Sequence, residues 1–370
     1  MPSLLDLPRE LRDIIIADVL NTPRMPPAAP SKTNRADFID FDHKATIETR
    51  GHGHMGAIYH EQRGTQGIFY SQVSLLLTNR QISVETKSVM KSRMRSARSS
   101  SVDYILDLSV QNEMDLYPTW LQVPVITNRV STLYVNVRLF GHLLPEEDAA
   151  RFTNDGRVSG LRCSFYSLLE RFLQYGPADK KPYIPEHTYG SVRFPLAGHY
   201  ESEDHNVTVR NLILNFESAE SELPFESGNR YGWSRFRRRH CDSYLGSDPR
   251  EGPGNRDKYT TRPEWLAKFL AMEINYLLNM TFHTSRYGVL LHERIGTIRF
   301  LVDGKLAYEY DLPRRLAELR KSHPSEVFGE VHFHHDRVYL FWEWKKKTLE
   351  WREQVGLPVL WPQDPELQWV

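Results

Sequence analysis

Apolar and polar residues alternate with the period of an α-helix at the start of the chain. Apolar side chains recur three and four positions apart, which predicts an amphipathic helix over residues 4–20. Pro8 suits its first turn, where the missing N–H costs no hydrogen bond, and Pro23 ends the pattern. Two sides are therefore expected, an apolar stripe of Leu7, Leu11, Ile14, Ile15 and Val19 and a polar side of Arg9, Arg12, Asp13 and Asp18.

A second helical pattern covers residues 70–90, where apolar side chains recur every seven positions. A lone helix of this length is only marginally stable in water, so it must dock on another element, and the first helix is the obvious partner. Between them, residues 23–67 combine a Pro-rich linker with weakly alternating segments, which predicts a hairpin around residues 51–53. We interpret residues 1–92 as one N-terminal module that contains this insertion.

Strand-like and helix-like segments alternate in the remainder of the chain. Strands are predicted near Leu133, Ile213 and Ile298, and each is separated from the next by one helical stretch and a polar loop. Such β–helix–β alternation predicts parallel strands with crossover connections. The expected fold class is therefore mixed α/β (α+β), with residues 100–370 forming a β–α alternating body like a degenerate leucine-rich-repeat layer. A segment rich in Ser, Glu, Gly and Arg at 217–260 is expected to be a loose insertion.

The composition is that of an ordinary folded protein kept under reducing conditions. Lys plus Arg and Asp plus Glu both number 47, and this zero net charge argues against nucleic acid as the main partner. Cys163 and Cys241 stand far apart without a CxxC motif, so neither a disulfide framework nor a cysteine zinc site is predicted. No apolar run reaches the ~18 residues of a membrane span, and no signal-peptide pattern opens the chain. A cytoplasmic and/or nuclear protein with no membrane partner is expected.

The first helical segment, LDLPRELRDIIIADVL, resembles the first helix of an F-box, which has Leu-Pro, a Glu two residues on, and then Leu and Ile at helical spacing. The segment LLLTNRQISVET at 75–86 is similar to a later F-box helix, with Arg80 kept, Asn79 in place of a Cys and Ile82 in place of a Trp. Together with four further blocks of the body, these segments resemble F-box-like proteins of filamentous fungi. The matching positions of the first helix are Leu7, Pro8, Glu10, Leu11, Ile14, Ile15 and Val19.

In that family, the F-box binds the Skp-type adaptor of a cullin–RING ubiquitin ligase, and the rest of the chain holds a protein substrate. The resemblance therefore implies a non-enzymatic substrate adaptor without a cofactor, which raises the effective concentration of an unknown target near the ubiquitin-charged enzyme. The seven matching positions would enter a groove on the adaptor. The alternative is an interaction scaffold whose F-box-like helix is vestigial and packs wholly on residues 75–90 as core.

Two further clusters suggest other chemistry. The segment EVHFHHDRVYLFWEW predicts a strand pair, and KKKTLEWREQV after it predicts a basic helix. In the strand pair, His332, His334 and Asp336 would share one side and could bind a metal ion. A metal-dependent enzyme is therefore the third hypothesis. No spaced motif completes the ligand set, however, and a histidine-bearing hairpin tip explains the same residues; GxSxG, P-loop and HExxH motifs are also absent from the sequence. The basic run at 235–239 is interpreted as a solvated loop or a docking site for an acidic partner.

Overall fold

The computed structural model describes most of the module and most of the body. The hairpin predicted around residues 51–53, the basic run at 235–239, most of the insertion at 217–260, and His332 and His334 lie outside the described residues. The predictions made for them stay predictions. The described ranges are 4–33, 35–37, 58–61, 70–96, 102–142, 160–177, 207–218, 223–225, 259–280, 285–321 and 336–363.

One six-stranded mixed β-sheet forms the centre of the fold, and a short antiparallel ribbon of two further strands accompanies it. The strands are β1 (Arg35–Asp37), β2 (Tyr59–Glu61), β3 (Asp103–Gln111), β4 (Asp115–Gln122), β5 (Arg129–Phe140), β6 (Thr208–Ser218), β7 (Ile295–Val302) and β8 (Lys305–Asp311). The sheet order is β4-β3-β5-β6-β7-β8. Its four central strands run parallel, and antiparallel strands occupy both edges. Leu133, Ile213 and Ile298 lie on adjacent parallel strands, so that prediction is confirmed.

Eight α-helices lie in the described part of the chain, after a 3-10 turn at Leu4–Asp6. They are α1 (Arg9–Asn21), α2 (Tyr70–Thr78), α3 (Arg80–Ser96), α4 (Gly160–Tyr175), α5 (Pro263–Leu278), α6 (Ser285–Arg294), α7 (Leu312–Glu318) and α8 (Asp336–Val355). Two predictions were wrong. The single helix predicted over 70–90 is broken at Asn79 into α2 and α3. The strand pair predicted for EVHFHHDRVYLFWEW is replaced from Asp336 onward by α8, because the buried side chains there recur at helical spacing.

The core lies between one face of the sheet and helices α4, α5 and α6. Side chains alternate along a strand, so every second residue of the parallel strands points to this face. Tyr104, Leu133, Leu212 and Ile298 stand side by side in register, and all four are buried. The apolar side chains that the helices add include Phe172, Leu173, Leu266, Leu270 and Leu291.

The opposite face of the sheet is polar. Thr132, Asn211 and Thr297 stand in register on adjacent strands, and the Thr297 hydroxyl donates a hydrogen bond to Asn211 Oδ1 at 2.9 Å. Arg138 donates to both carboxylate oxygens of the buried Asp107, at 2.5 and 2.8 Å. The sheet is therefore amphipathic, which explains why the main core forms on only one of its faces.

The segment that follows α1 is fastened to the sheet by two arginines. The Arg24 backbone N–H donates to Leu121 O at 3.0 Å, and its side chain donates to Trp120 O at 2.5 Å. Arg138 reaches across the polar face and donates to Pro27 O at 2.7 Å. The connection between α1 and the body is therefore bound to the sheet over several residues.

Helix α8 closes the other end of the body with an unusual set of buried side chains. Trp342 and Trp344 pack with Leu316 of α7 in a second apolar cluster. Lys345 and Arg352 are also fully buried, and they donate hydrogen bonds to backbone carbonyls where α7 and α6 end. Buried cations and apolar residues thus share one face of α8.

Candidate protein-docking surface

Helix α1 begins directly after Pro8, which occupies the N-cap position. The Pro8 carbonyl accepts from the N–H groups of Leu11 and Arg12 at 3.1 and 3.2 Å. Proline has no N–H, so it loses no hydrogen bond at this position. Glu10 lies in the first turn, where its negative charge meets the positive end of the helix dipole. The predicted helix is confirmed, with its first residues in a 3-10 turn instead.

The inward side of α1 is not the predicted stripe. Ile16 and Leu20 are buried, and Arg12 is buried with them, with only 7% of its surface exposed. Helix α3 is the neighbour on this side, and its Glu85 is exposed by only 6%. The expectation that Arg12 lies on the solvent side was wrong. A carboxylate on α3 pairs with the guanidinium and offsets the free energy of taking it out of water.

Arg12 and Glu85 form a two-pronged ion pair. Arg12 Nε donates to Glu85 Oε2 at 2.9 Å, and Nη2 donates to Oε1 at 2.5 Å. Gln81 Nε2 donates to the same Oε1 at 3.2 Å. These hydrogen bonds, above all those from Arg12, lower the pKa of Glu85 to about 2. The pair is therefore ionised at neutral pH.

The Arg12 guanidinium also holds the turn that precedes α1. Its Nη1 donates to Leu7 O and, at 3.3 Å, to Leu5 O. One side chain thus connects the 3-10 turn, α1 and α3. The backbone of Leu5 and Leu7 is therefore bonded to the helix that follows.

The predicted apolar stripe faces solvent. Ile14 has 57% of its surface exposed and Leu11 has 48%. Pro8 and Glu10 are exposed as well, whereas Leu7 is half-buried. Apolar side chains that stand together in solvent mark an interaction surface more often than scattered ones do. We define the α1 surface as Leu4, Leu5, Leu11, Ile14, Ile15 and Val19.

Helices α2 and α3 present further exposed apolar side chains, Leu77 and Val84. The two helices meet at Asn79, whose Oδ1 accepts from the Ile82 N–H at 2.9 Å and so caps the start of α3. By the resemblance given above, Asn79 is the position at which an F-box would be expected to have a Cys. An Asn just before a helical pattern is a start signal, and it could have located the break from the sequence.

The metal hypothesis depended on a strand that Asp336 does not continue, since Asp336 is the first residue of α8. Within the described ranges, no three His, Cys, Asp or Glu side chains are grouped so that they could hold a metal ion. None of the described helices combines the length and the apolar composition needed to cross a membrane. Comparison with family models, curated proteins and solved structures finds no match to this chain.

Proposed function

We propose that this chain is a non-enzymatic, F-box-like substrate adaptor, which links a protein target to a Skp–cullin–RING ubiquitin ligase. One observation carries the proposal: the aliphatic side chains of α1 that match the F-box pattern face solvent, while an ion pair holds the inner side of the same helix. An exposed apolar helix face is suited to a groove on another helical protein.

The size of the α1 surface limits how the partner binds. Complete burial of a Leu or Ile side chain contributes about 1.5–3 kcal/mol, so six partly exposed ones offer about 1 kcal/mol each, or about 6 kcal/mol. Association costs about 4–15 kcal/mol before any net affinity remains. The α1 surface alone therefore supports only weak binding, and the partner must reach further contacts such as Leu77 and Val84 on the neighbouring helices.

The body is proposed to hold the substrate as a degenerate leucine-rich-repeat-like layer. Its parallel strands β3, β5, β6 and β7 lie beside one another in chain order, as the strands of such repeats do. The ubiquitin ligase would supply the chemistry, and this chain would supply proximity. A cytoplasmic and/or nuclear location follows from this proposal.

The alternative of a scaffold with a vestigial helix requires that the F-box-like stripe be fully buried. Pro8 and Ile14 are exposed and Leu7 is half-buried. The stripe is thus not fully buried, which supports the adaptor over the scaffold. A partner other than a Skp-type adaptor on the same surface is an outcome of the test below.

The test is a titration of the purified chain with a Skp-type adaptor, measured by calorimetry. The double substitution Leu11→Ser with Ile14→Ser is expected to weaken binding about thirtyfold, because about 2 kcal/mol of apolar burial is lost. The matched control is Leu306→Ser, at an exposed leucine on the edge strand β8, and it should leave binding unchanged. Circular dichroism checks that each variant is folded. An intact chain that does not bind the adaptor overturns the proposal.

A further inference from the structure

Helix α1 has two sides that carry aliphatic residues, and either of them could pack against α3. The inner side buries Ile16 and Leu20 together with a charged arginine. The outer side carries more aliphatic side chains, including Leu11 and Ile14, and leaves them in solvent. Apolar burial alone favours the opposite arrangement, since the side with more aliphatic surface should face the protein. Something other than apolar burial therefore decides which side faces inward.

The Arg12–Glu85 ion pair is the interaction that distinguishes the two arrangements. Both side chains are more than nine-tenths buried, and the two bonds between them require Arg12 to point at α3. A roll of α1 about its axis that buried Ile14 would carry Arg12 away from Glu85. Glu85 would then remain without its guanidinium partner, which is a costly state for a buried carboxylate.

The other charged and polar groups close to the pair favour the same orientation without replacing it. Gln81 donates to Glu85 from the preceding turn of α3. Arg9 donates to the Ser88 hydroxyl at 3.4 Å, but its side chain is mostly exposed. Within the described residues, Arg12 is thus the guanidinium that pairs with Glu85 inside the α1–α3 contact.

We infer that the Arg12–Glu85 pair is a positioning device that selects the outward orientation of the α1 surface, and that without it α1 rolls and buries that surface on α2 and α3. Its significance for partner binding rests on the proposed function. The orientation itself does not, because it is a property of the free chain. A buried ion pair in this role contributes specificity of packing more than stability.

The test uses single cysteines as reporters on the two sides of α1. Ile14→Cys reports the outer side and Ile16→Cys reports the inner side, and each is placed in the otherwise native full-length chain. The rate of alkylation is read for the peptide that contains the reporter, so the native Cys163 and Cys241 do not interfere. In the parent background, position 14 should react rapidly and position 16 slowly, since Ile16 is only 1% exposed.

Arg12→Met is expected to reverse this order. If about 90% of the molecules bury the α1 surface, alkylation at position 14 should slow about tenfold. Alkylation at position 16 should accelerate. Glu85→Met should act in the same direction. Simple unfolding of the module would instead accelerate both positions, so loss of folding cannot imitate the expected result.

A conservative substitution provides the matched control. Arg12→Lys keeps a cation that can pair with Glu85 and donate to the Leu7 carbonyl, and it should keep rapid alkylation at position 14. Unchanged rates in Arg12→Met, faster alkylation at both positions, or an equally slow position 14 in Arg12→Lys would each overturn the inference. None of these readouts involves the adaptor. If the parent chain fails to bind a Skp-type adaptor, the proposed function fails while the alkylation rates still decide the orientation.

Discussion

The two ends of the molecule bury positive charge in different ways. At the N-terminal end, Arg12 is paired with a carboxylate, Glu85, in the contact between α1 and α3. At the C-terminal end, Lys345 and Arg352 of α8 are buried against backbone carbonyl oxygens. Both arrangements satisfy a buried cation, the first with a carboxylate and the second with uncharged carbonyl groups.

The carbonyl groups that accept hydrogen bonds from α8 include several at the ends of the neighbouring helices α6 and α7. Arg352 donates to His292 O and to Ile295 O at the end of α6, and the distance to Ile295 O is 2.8 Å. It also donates two hydrogen bonds to Pro358 O, from Nε at 3.1 Å and from Nη2 at 2.9 Å. The last carbonyls of a helix lack intrahelical partners and carry the negative end of the dipole. Burial lowers the pKa of Arg352 to about 10, so the group stays charged at neutral pH.

Lys345 is bonded in the same way at the end of α7. Its Nζ donates to Ala317 O at 3.1 Å and to Leu319 O at 2.8 Å, at the end of α7. The buried cations of α8 therefore donate to carbonyl oxygens at helix ends, whereas Arg12 donates to a carboxylate. The two sets of partners have different roles: helix-end carbonyls hold α8 in place without a carboxylate, whereas a specific carboxylate decides which side of α1 packs inward.

The largest expected effect comes from removing the cation at the end of α6. Arg352→Met should lower the free energy of unfolding by about 4 kcal/mol, because three carbonyl groups lose charged donors inside the protein. Urea unfolding measures the change. Lys347→Met, on the exposed side of the same helix, is the control and should change stability by less than about 0.5 kcal/mol. A loss below about 1 kcal/mol for Arg352→Met would show that these bonds contribute little net stability.

The next effect is a pH dependence at the same junction. His292 is fully buried, its Nε2 lies 3.0 Å from Leu278 O, and it faces the positive charges of Arg352, Arg315 and Lys345. Burial lowers its pKa from 6.5 to about 4. Between these values the unfolded chain binds a proton that the folded chain does not. Stability should therefore fall by about 3 kcal/mol as the pH falls from 6.5 to 4.

His292→Gln tests this assignment, because an amide can still donate to Leu278 O but does not titrate. Urea unfolding at a series of pH values should give a shallower decline for the variant than for the parent chain. His142→Gln, just after β5, is the matched control for the substitution itself, and the two variants are compared at each pH. Parallel declines in the parent and His292→Gln would assign the acid sensitivity to other groups.

A transition at lower pH is expected at the N-terminal end. Arg12 lowers the pKa of Glu85 from 4.5 to about 2, so the stabilisation from this pair is complete above pH 4.5 and is lost as the pH falls towards 2. Hydrogen exchange read by peptide should therefore show α8 losing protection at a higher pH than α1. Glu85→Gln should remove the step in α1 alone. Loss of protection in α1 before α8 would contradict the order.

The differences between sequence-based prediction and structure have a common physical cause at both ends. The parallel strands could be predicted, because the segments near Leu133, Ile213 and Ile298 are apolar, rich in β-branched residues and separated by helical stretches. The basic helix predicted over KKKTLEWREQV is confirmed as the second half of α8. The first half was missed, because aromatic and β-branched residues at 338–344 also fit a strand, and their packing on α7 is not contained in any local pattern.

Arg12 was placed on the wrong side of α1 for the same reason. Hydrophobic periodicity identifies the side with more aliphatic surface, but it does not show whether that side packs inward or outward. The decisive partner, Glu85, lies 73 positions away along the chain. The apolar residues of the candidate site could thus be found from the sequence, whereas their exposure depended on a contact that no local pattern contains.

The smallest expected effect is on the stability of the first turn of α3. Asn79 caps the first turn of α3, the helix that carries Glu85, through its bond to the Ile82 N–H. Asn79→Ala should destabilise this turn by about 1 kcal/mol, because a backbone donor loses its partner. Asn79→Asp keeps an acceptor at the positive end of the helix dipole and should behave like the parent chain. Hydrogen exchange in the first turn of α3 measures both variants. Equal protection in the alanine and aspartate variants would mean that the burial of Ile82, and not the cap, fixes the start of the helix that presents Glu85 to Arg12.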